Sequence, residues 1–283
     1  MGKIKVIADS TCDLTKEILD EYDISLIPLT IMLGDNDYKD GIDITPEDIF
    51  KWSEEVNSTP KTAAPVMEEV IKILTPFVQS ESEIIFFGIS EEMSSTCNVI
   101  RLAKGYLEYD NIYVVNSKNL STGIGHLVVK AASMAKEGYT TSEILSMIDN
   151  MIGKVKASFV IDTLTYLNRG GRCSSVTALI GNTFKLKPMI EVKDGKMDVG
   201  KKYRGSNKKV LMHYYSDLEE SLKHANKEIV FITHSGCDRE VVCELLALIR
   251  GLNHFDKIIE TIAGSVISSH CGPKTLGILY VEE

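Results

Sequence analysis

Three short apolar runs constrain the fold more than any other feature of the chain. They are KIKVIAD (residues 3–9), SEIIFFGIS (82–90) and NIYVVNS (111–117), and stretches with helical spacing follow each of them. Runs this short and this continuously apolar fit strands buried on both faces, as in a parallel sheet. Parallel neighbours need a crossover of a dozen or more residues, which the intervening helices supply. The first half therefore predicts an α/β arrangement: an open, mostly parallel sheet with flanking helices.

Local signals fill in the elements. Asp13 is a candidate cap for a helix over DLTKEILDEY, and ISLIPLTIML reads as one strand. Gly34–Asp37 reads as a turn with Tyr38 beginning the return arm. Thr45-Pro46-Glu47-Asp48 has the order of a helix start: hydroxyl cap, Pro at the first position, acids in the first turn. Further helices are predicted over SSTCNVIRLAKGYLE, GIGHLVVKAASMAKEG and residues 142–152.

The second half changes character. KASFVID is followed by two arms joined by an Asp194-Gly195 turn, then by helices near residues 206–225 and 238–252 around the strand EIVFITH. IIETIAGSVISS and LGILYVEE close the chain as strand-like runs. A two-domain organisation follows, with residues 1–152 as an N-terminal α/β domain and 153–283 as a C-terminal α+β domain. A chain of 283 residues is long enough for both.

The net charge of −9 argues against a nucleic-acid binder, which needs a basic face for phosphates, and against adsorption to anionic lipid. No apolar run reaches the roughly 20 residues of a membrane span, and the first residues do not read as a signal peptide. Six scattered cysteines without a CxxC fit reduced thiols and a cytoplasmic location.

Hydroxyls recur where a strand gives way to a helix: Ser10-Thr11, Ser90 through Ser94-Ser95-Thr96, and Ser117 with Ser121. Each can simply cap its own helix. In an open parallel sheet, however, the strand ends share one edge, where ligands bind. Three hydroxyl groups on that edge point to an anion site. Thr62, just before Ala64-Pro65, can likewise cap a helix or reach a ligand. Arg169-Gly170-Gly171-Arg172 places two guanidinium groups around glycines that permit a left-handed or closely approached backbone, before a helix over SSVTALIG. It can hold a carboxylate or phosphate, or be a solvated turn.

His270 lies at what reads as a strand end, beside Ser268-Ser269 and a Gly-Pro turn. A serine hydrolase on such a sheet would show GxSxG, which is absent. Cys271 is no partner for it, because strand neighbours point to opposite faces. The six histidines are dispersed, there is no HExxH and no calcium loop, and no metal is expected. GxxxxGK[ST] and a completed GxGxxG are also missing, so no nucleotide cofactor is expected. Anion-binding groups without reaction chemistry suit a binding protein.

The order of these motifs resembles the DegV-like family, the fatty-acid-binding subunits of bacterial fatty-acid kinases. The family's opening D-S-T-x-D-L resembles Asp9 to Leu14, and its P-x-T-S-x-P element is similar to Pro60 to Pro65. Its L-S-G-T resembles Met93 to Thr96, and its D-S-x-x-x-S-x-G-x-G resembles Asn116 through Ser121 to Gly125. Leu167 to Arg172, Lys187-Pro188, Arg204 and the H-x-G-P of His270 to Pro273 complete the series. Ser95 stands where the family has Gly, Ala63 where it has Ser, Asn116 where Asp is usual, and Lys274 where it has Gly.

The resemblance implies a two-domain DegV-like fold with the ligand between the halves. It implies Thr62, Ser94 and His270 on the carboxylate of a long-chain fatty acid, and an acyl tunnel in the C-terminal domain. It also implies a separate ATP-dependent fatty-acid kinase as partner. Ser95, Arg169, Arg172 and Arg204 are expected on the rim. The competing readings are a lipid hydrolase or phosphotransfer enzyme using Ser94 and His270, and a lipid sensor acting through a protein partner.

Overall fold

The computed structural model describes residues 3–179 and 186–283. The first half contains β1 (Ile4–Asp9), α1 (Lys16–Glu21), β2 (Ser25–Ile27), β3 (Thr30–Leu33), β4 (Asn36–Lys39), α2 (Pro46–Val56) and β5 (Lys61–Ala63). It continues with α3 (Met67–Gln79), β6 (Glu83–Gly88), α4 (Thr96–Tyr106), β7 (Ile112–Asn116), α5 (Thr122–Lys136) and α6 (Thr141–Ile152). The second half contains β8 (Val155–Val160), α7 (Thr165–Gly170), α8 (Ser174–Thr177), β9 (Leu186–Lys193), β10 (Lys196–Arg204), α9 (Asn207–Lys223) and β11 (Ile229–Ser235). It closes with α10 (Arg239–Gly251), β12 (Lys257–Ile262), α11 (Ser265–Cys271) and β13 (Thr275–Val281).

The chain is a mixed α/β protein. One sheet, ordered β2-β1-β6-β7, is parallel throughout. A second, ordered β10-β9-β8-β13-β11-β12, is antiparallel except for the β11–β12 pair. A third, small antiparallel sheet, β4-β3-β5, contains the expected hairpin of β3 and β4 and adds β5, which was not anticipated. The strands of the first sheet precede residue 153 and those of the second follow it. The apolar core does not divide there, because Val6, Phe87, Leu127, Phe159, Ile190, Phe231 and Leu279 belong to one cluster. Helix α5 joins the halves: His126 Nε2 lies 3.0 Å from the Leu279 carbonyl, and Thr122 Oγ1 lies 2.7 Å from Thr233 Oγ1.

The capping signal at Thr45 is realised as a full capping box with Asp48. The Asp194-Gly195 turn joins β9 to β10, and the Gly195 carbonyl accepts the Ser90 hydroxyl at 2.6 Å. Of the helix predicted over SSVTALIG, Ser174–Thr177 is helical, while Ile180 and Gly181 lie outside the described residues.

Four local expectations are corrected. ISLIPLTIML is two strands in different sheets, because Pro28 has no N–H to continue a ladder. The return arm begins at Asn36, since Gly34 and Asp35 suffice for the turn. Asp13 does not cap α1; it has a left-handed backbone (φ 50°), and its carboxylate serves Ser121 and Gly264 instead. Ser265–Cys271 is a helix and not a strand end. Two of its serine hydroxyls turn back onto nearby backbone, Ser268 to the Ala263 carbonyl and Ser269 to that of Ser265.

Candidate functional site

A cavity of about 310 Å³ lies between the halves, near the lower end of the roughly 300–1,000 Å³ usual for small-molecule sites. Leu29, Ile89, Met93 and Leu120 come from the first half, and Phe159, Leu167, Met197 and Leu279 from the second. Its apolar walls thus belong to both halves and not to the C-terminal half alone.

Thr62, Ser94, Ser95, Arg172 and His270 all line this cavity. Thr62 is the middle residue of β5, opposite Ile31 of β3. It caps nothing, since the next helix begins only at Met67. His270 sits in the last turn of α11. The two residues, 208 apart in sequence, meet with Thr62 Oγ1 2.7 Å from His270 Nε2. Ser94 precedes α4, and its hydroxyl lies 2.8 Å from Thr96 Oγ1 and accepts the Thr96 N–H at 3.3 Å. Ser95 occupies the N-cap position of α4 with φ −85°, a backbone any residue adopts, and makes no side-chain cap bond. Its hydroxyl remains available to an anion, whereas the first N–H of α4, that of Thr96, is already donated to Ser94.

The imidazole is neutral at neutral pH. Burial pushes its pKa down to about 4, and the Arg172 guanidinium adds to the shift. Its Nδ1 is buried without a hydrogen-bond partner. An unpartnered lone pair there costs less than an unpartnered N–H, so we assign the proton to Nε2, donated to Thr62 Oγ1. The Thr62 hydroxyl hydrogen is then free to turn toward a ligand. The positive charge among the lining groups is that of Arg172, which is exposed at the mouth and has no acidic partner among the described residues.

The Arg-Gly-Gly-Arg loop shows why both glycines are needed. Gly171 ends α7 with a left-handed φ of 68°, and a Cβ on Gly170 would collide with the His270 ring. Of the other arginines, Arg169 is exposed and reaches the Asn57 carbonyl at 3.5 Å, and Arg204 is exposed at the end of β10. Neither lines the cavity.

The other hydroxyls along the walls are already engaged. Ser121 donates to Asp13 at 2.5 Å, Thr233 pairs with Thr122 and Thr261, Ser235 pairs with Ser268, and Thr275 donates to the Cys271 carbonyl. Outside the Thr62–His270 pair, the buried lining atom without a partner among the described residues is His234 Nδ1, whose ring pairs with Glu260 through Nε2. The hydroxyls and the guanidinium among the lining groups are donors suited to an anion such as a carboxylate.

Ser94 and His270 are bonded to Thr96 and Thr62 respectively, with no Ser94–His270 hydrogen bond. Cys271 is buried, with its thiol pushed up to about 12 by burial first and Asp13 next, so it is no nucleophile; the strand argument used to set it aside does not apply on a helix. Of the three hydroxyl groups expected on the sheet edge, only Ser94-Ser95 and Ser121 reach the cavity. Ser10 accepts the Leu29 N–H, and Ser117 bonds within its own loop. The apolar wall residues were not anticipated. A glycine inside an apolar strand, Gly277 in β13, was the available signal, since it marks a close approach to the backbone.

Among the described residues, no helix is long and apolar enough to cross a membrane, and no group of His, Cys, Asp or Glu could hold a metal ion.

The chain is similar to known proteins along its whole length. The family model described as "Uncharacterised protein, DegV family" matches residues 3–283. A DegV domain-containing protein of Clostridium perfringens is 32% identical over 284 residues, covering 100% of both chains. A solved DegV family protein from Thermus thermophilus, described for its fatty-acid binding, is 25% identical with a TM-score of 0.91, covering 99% of this chain and 100% of that one. A stearic acid-binding protein from Eubacterium ventriosum is 27% identical with a TM-score of 0.87, covering 100% of this chain and 98% of that one. With the family model spanning all but its first two residues, and the clostridial relative aligned from end to end, the chain belongs to the DegV family.

Proposed function

We propose that the protein is a cytoplasmic, non-enzymatic carrier for a long-chain fatty acid. The observation behind this is one mostly apolar cavity that Thr62, Ser94, His270 and Arg172 all line, with Thr62 and His270 in contact. The solved relatives that bind fatty acids support it. Each buried methylene contributes about 0.8 kcal/mol, which favours a long tail. A carboxylate without partners would be costly at the cavity mouth. Thr62 and Ser94 donate to the carboxylate, His270 orients Thr62, and Arg172 balances the charge.

In this reading the carrier presents the carboxyl group to a separate ATP-dependent fatty-acid kinase. A carboxylate oxygen attacks the γ-phosphorus of ATP, the bond to the bridging oxygen breaks, and ADP leaves with an acyl phosphate formed. Arg169, Arg172 and Arg204 engage the kinase or the product phosphate. Residues 1–152 and 153–283 act as the two lobes that enclose the ligand.

Mass spectrometry of lipid extracted from the purified protein tests the first step. A stoichiometric long-chain fatty acid is expected; an empty protein that also fails to bind added oleate overturns the reading. Adding the kinase with ATP and trapping acyl phosphate with hydroxylamine tests the second. The pure protein alone should hydrolyse neither a chromogenic ester nor ATP.

A further inference from the structure

Helix α11 carries His270, yet little within its own sequence explains why it is a helix. It has seven residues, includes the β-branched pair Val266-Ile267, and receives no side-chain cap from Gly264. Its first N–H groups are satisfied by carboxylates from the other half of the chain. Asp13 Oδ1 accepts the Gly264 N–H at 2.8 Å. Asp40 Oδ1 accepts those of Ser265 at 2.8 Å and Val266 at 3.3 Å. The Ser265 hydroxyl adds a bond to the Ile44 carbonyl.

Both carboxyls are buried, 6% and 3% exposed, and Asp40 Oδ2 has no partner. Burying such groups is costly, so their hydrogen bonds to the helix must offset a real penalty.

The small sheet explains the geometry. Asp40 directly follows β4, at one edge of β4-β3-β5, and Thr62 lies in β5, at the other. One sheet therefore holds α11 at both ends, through Asp40 at its start and through Thr62 at His270. The five steps from Ser265 to His270 span about 7.5 Å along a helix, so a shift at the capped end is passed to the imidazole.

We propose that Asp13 and Asp40 are positioning residues for the carboxylate clamp: across the seam between the halves they fix the start of α11, and thereby the meeting of His270 with Thr62. The effect on ligand rests on the carrier reading; the effect on His270 does not. Asp13 has a second tie, because its Oδ2 accepts the hydroxyl of Ser121, a cavity residue held at φ 52°. It thus links α11 to the start of α5.

The test compares Asp40→Ala with Asp40→Asn, which keeps the Oδ1 acceptor. The folded D40A protein should bind oleate roughly 10- to 100-fold more weakly, with a much smaller change for oleyl alcohol. Its His270 imidazole, followed by NMR, should titrate closer to an ordinary histidine than to about 4. D40N should restore both. Wild-type oleate affinity and His270 titration in D40A would overturn the proposal, as would damage in D40N equal to that in D40A.

If D40A does not fold, Ser265→Pro removes one of the two donors to Asp40 from the helix side. Proline is tolerated at a first helical position, and Gly264, at ψ 174°, has the extended backbone that precedes proline. S265P should show the same two losses, and unchanged values would overturn the proposal. If the wild-type protein binds no oleate, the carrier reading fails, and the His270 titration alone decides the positioning role.

Discussion

Thr62→Val isolates the hydroxyl at the centre of the proposed clamp. Valine keeps the branched shape that fits β5 and removes only the oxygen, which lies 2.7 Å from His270 Nε2. Two consequences separate. In the free protein a buried imidazole N–H loses its acceptor, at a cost of about 1–3 kcal/mol in stability. In the complex a hydrogen bond to a charged group is lost, worth about 1.5–3 kcal/mol, which is roughly 10- to 150-fold in affinity. Calorimetric titration with oleate, paired with displacement by oleyl alcohol, reads the second term. The alcohol carries no charge, so its loss should be about 1 kcal/mol or less. Thermal unfolding reads the first. The reasoning is refuted if T62V binds oleate within threefold of wild type, or if acid and alcohol lose equally, since either would mean that Thr62 does not face the headgroup.

Arg172→Gln should weaken oleate binding and reduce its salt dependence. It should also raise the His270 pKa, because burial and then the Arg172 charge hold it at about 4; titration calorimetry at two ionic strengths and imidazole NMR check both. His270→Asn should lose less stability in acid than wild type. As pH falls from about 6.5 to about 4, the unfolded chain accepts a proton that the folded imidazole refuses, so wild type is penalised across that window. Asp9, pushed up to about 6 chiefly by burial, contributes the opposite slope between about 6 and 3.8, but it is present in both proteins and cancels in the difference. Urea midpoints at each pH give that difference. Met197→Trp adds bulk to a cavity of about 310 Å³ and should reduce affinity for long-chain acids more than for short-chain ones, as read by a series of saturated acids.

Much of the architecture was legible because its causes are local. The apolar runs became β1, β6 and β7, the Thr45 signal became a capping box, and the Asp194-Gly195 turn became a hairpin. Each depends on neighbours within a few residues. The Arg-Gly-Gly-Arg glycines were read as permitting a left-handed or closely approached backbone; the fold uses one for each, and the sequence could not say that Gly170 makes room for an imidazole. Pro28 was the overlooked local cue that splits Ser25–Ile27 from Thr30–Leu33.

The site required the tertiary structure. Residues 265–271 look like a strand because β-branched residues favour extended chain locally; they form a helix because acceptors 225 and 251 positions away satisfy its first N–H groups. Thr62 and His270 could each be suspected singly, but their contact depends on the register of a small sheet and on the seating of that helix. Periodicity and caps are written in adjacent residues, so the chain alone determines most strands, most helices and the kinds of groups on the sheet edge. Which hydroxyls remain free, which imidazole stays neutral and which walls enclose the cavity are set by burial and by long-range pairing, and only the folded molecule decides them.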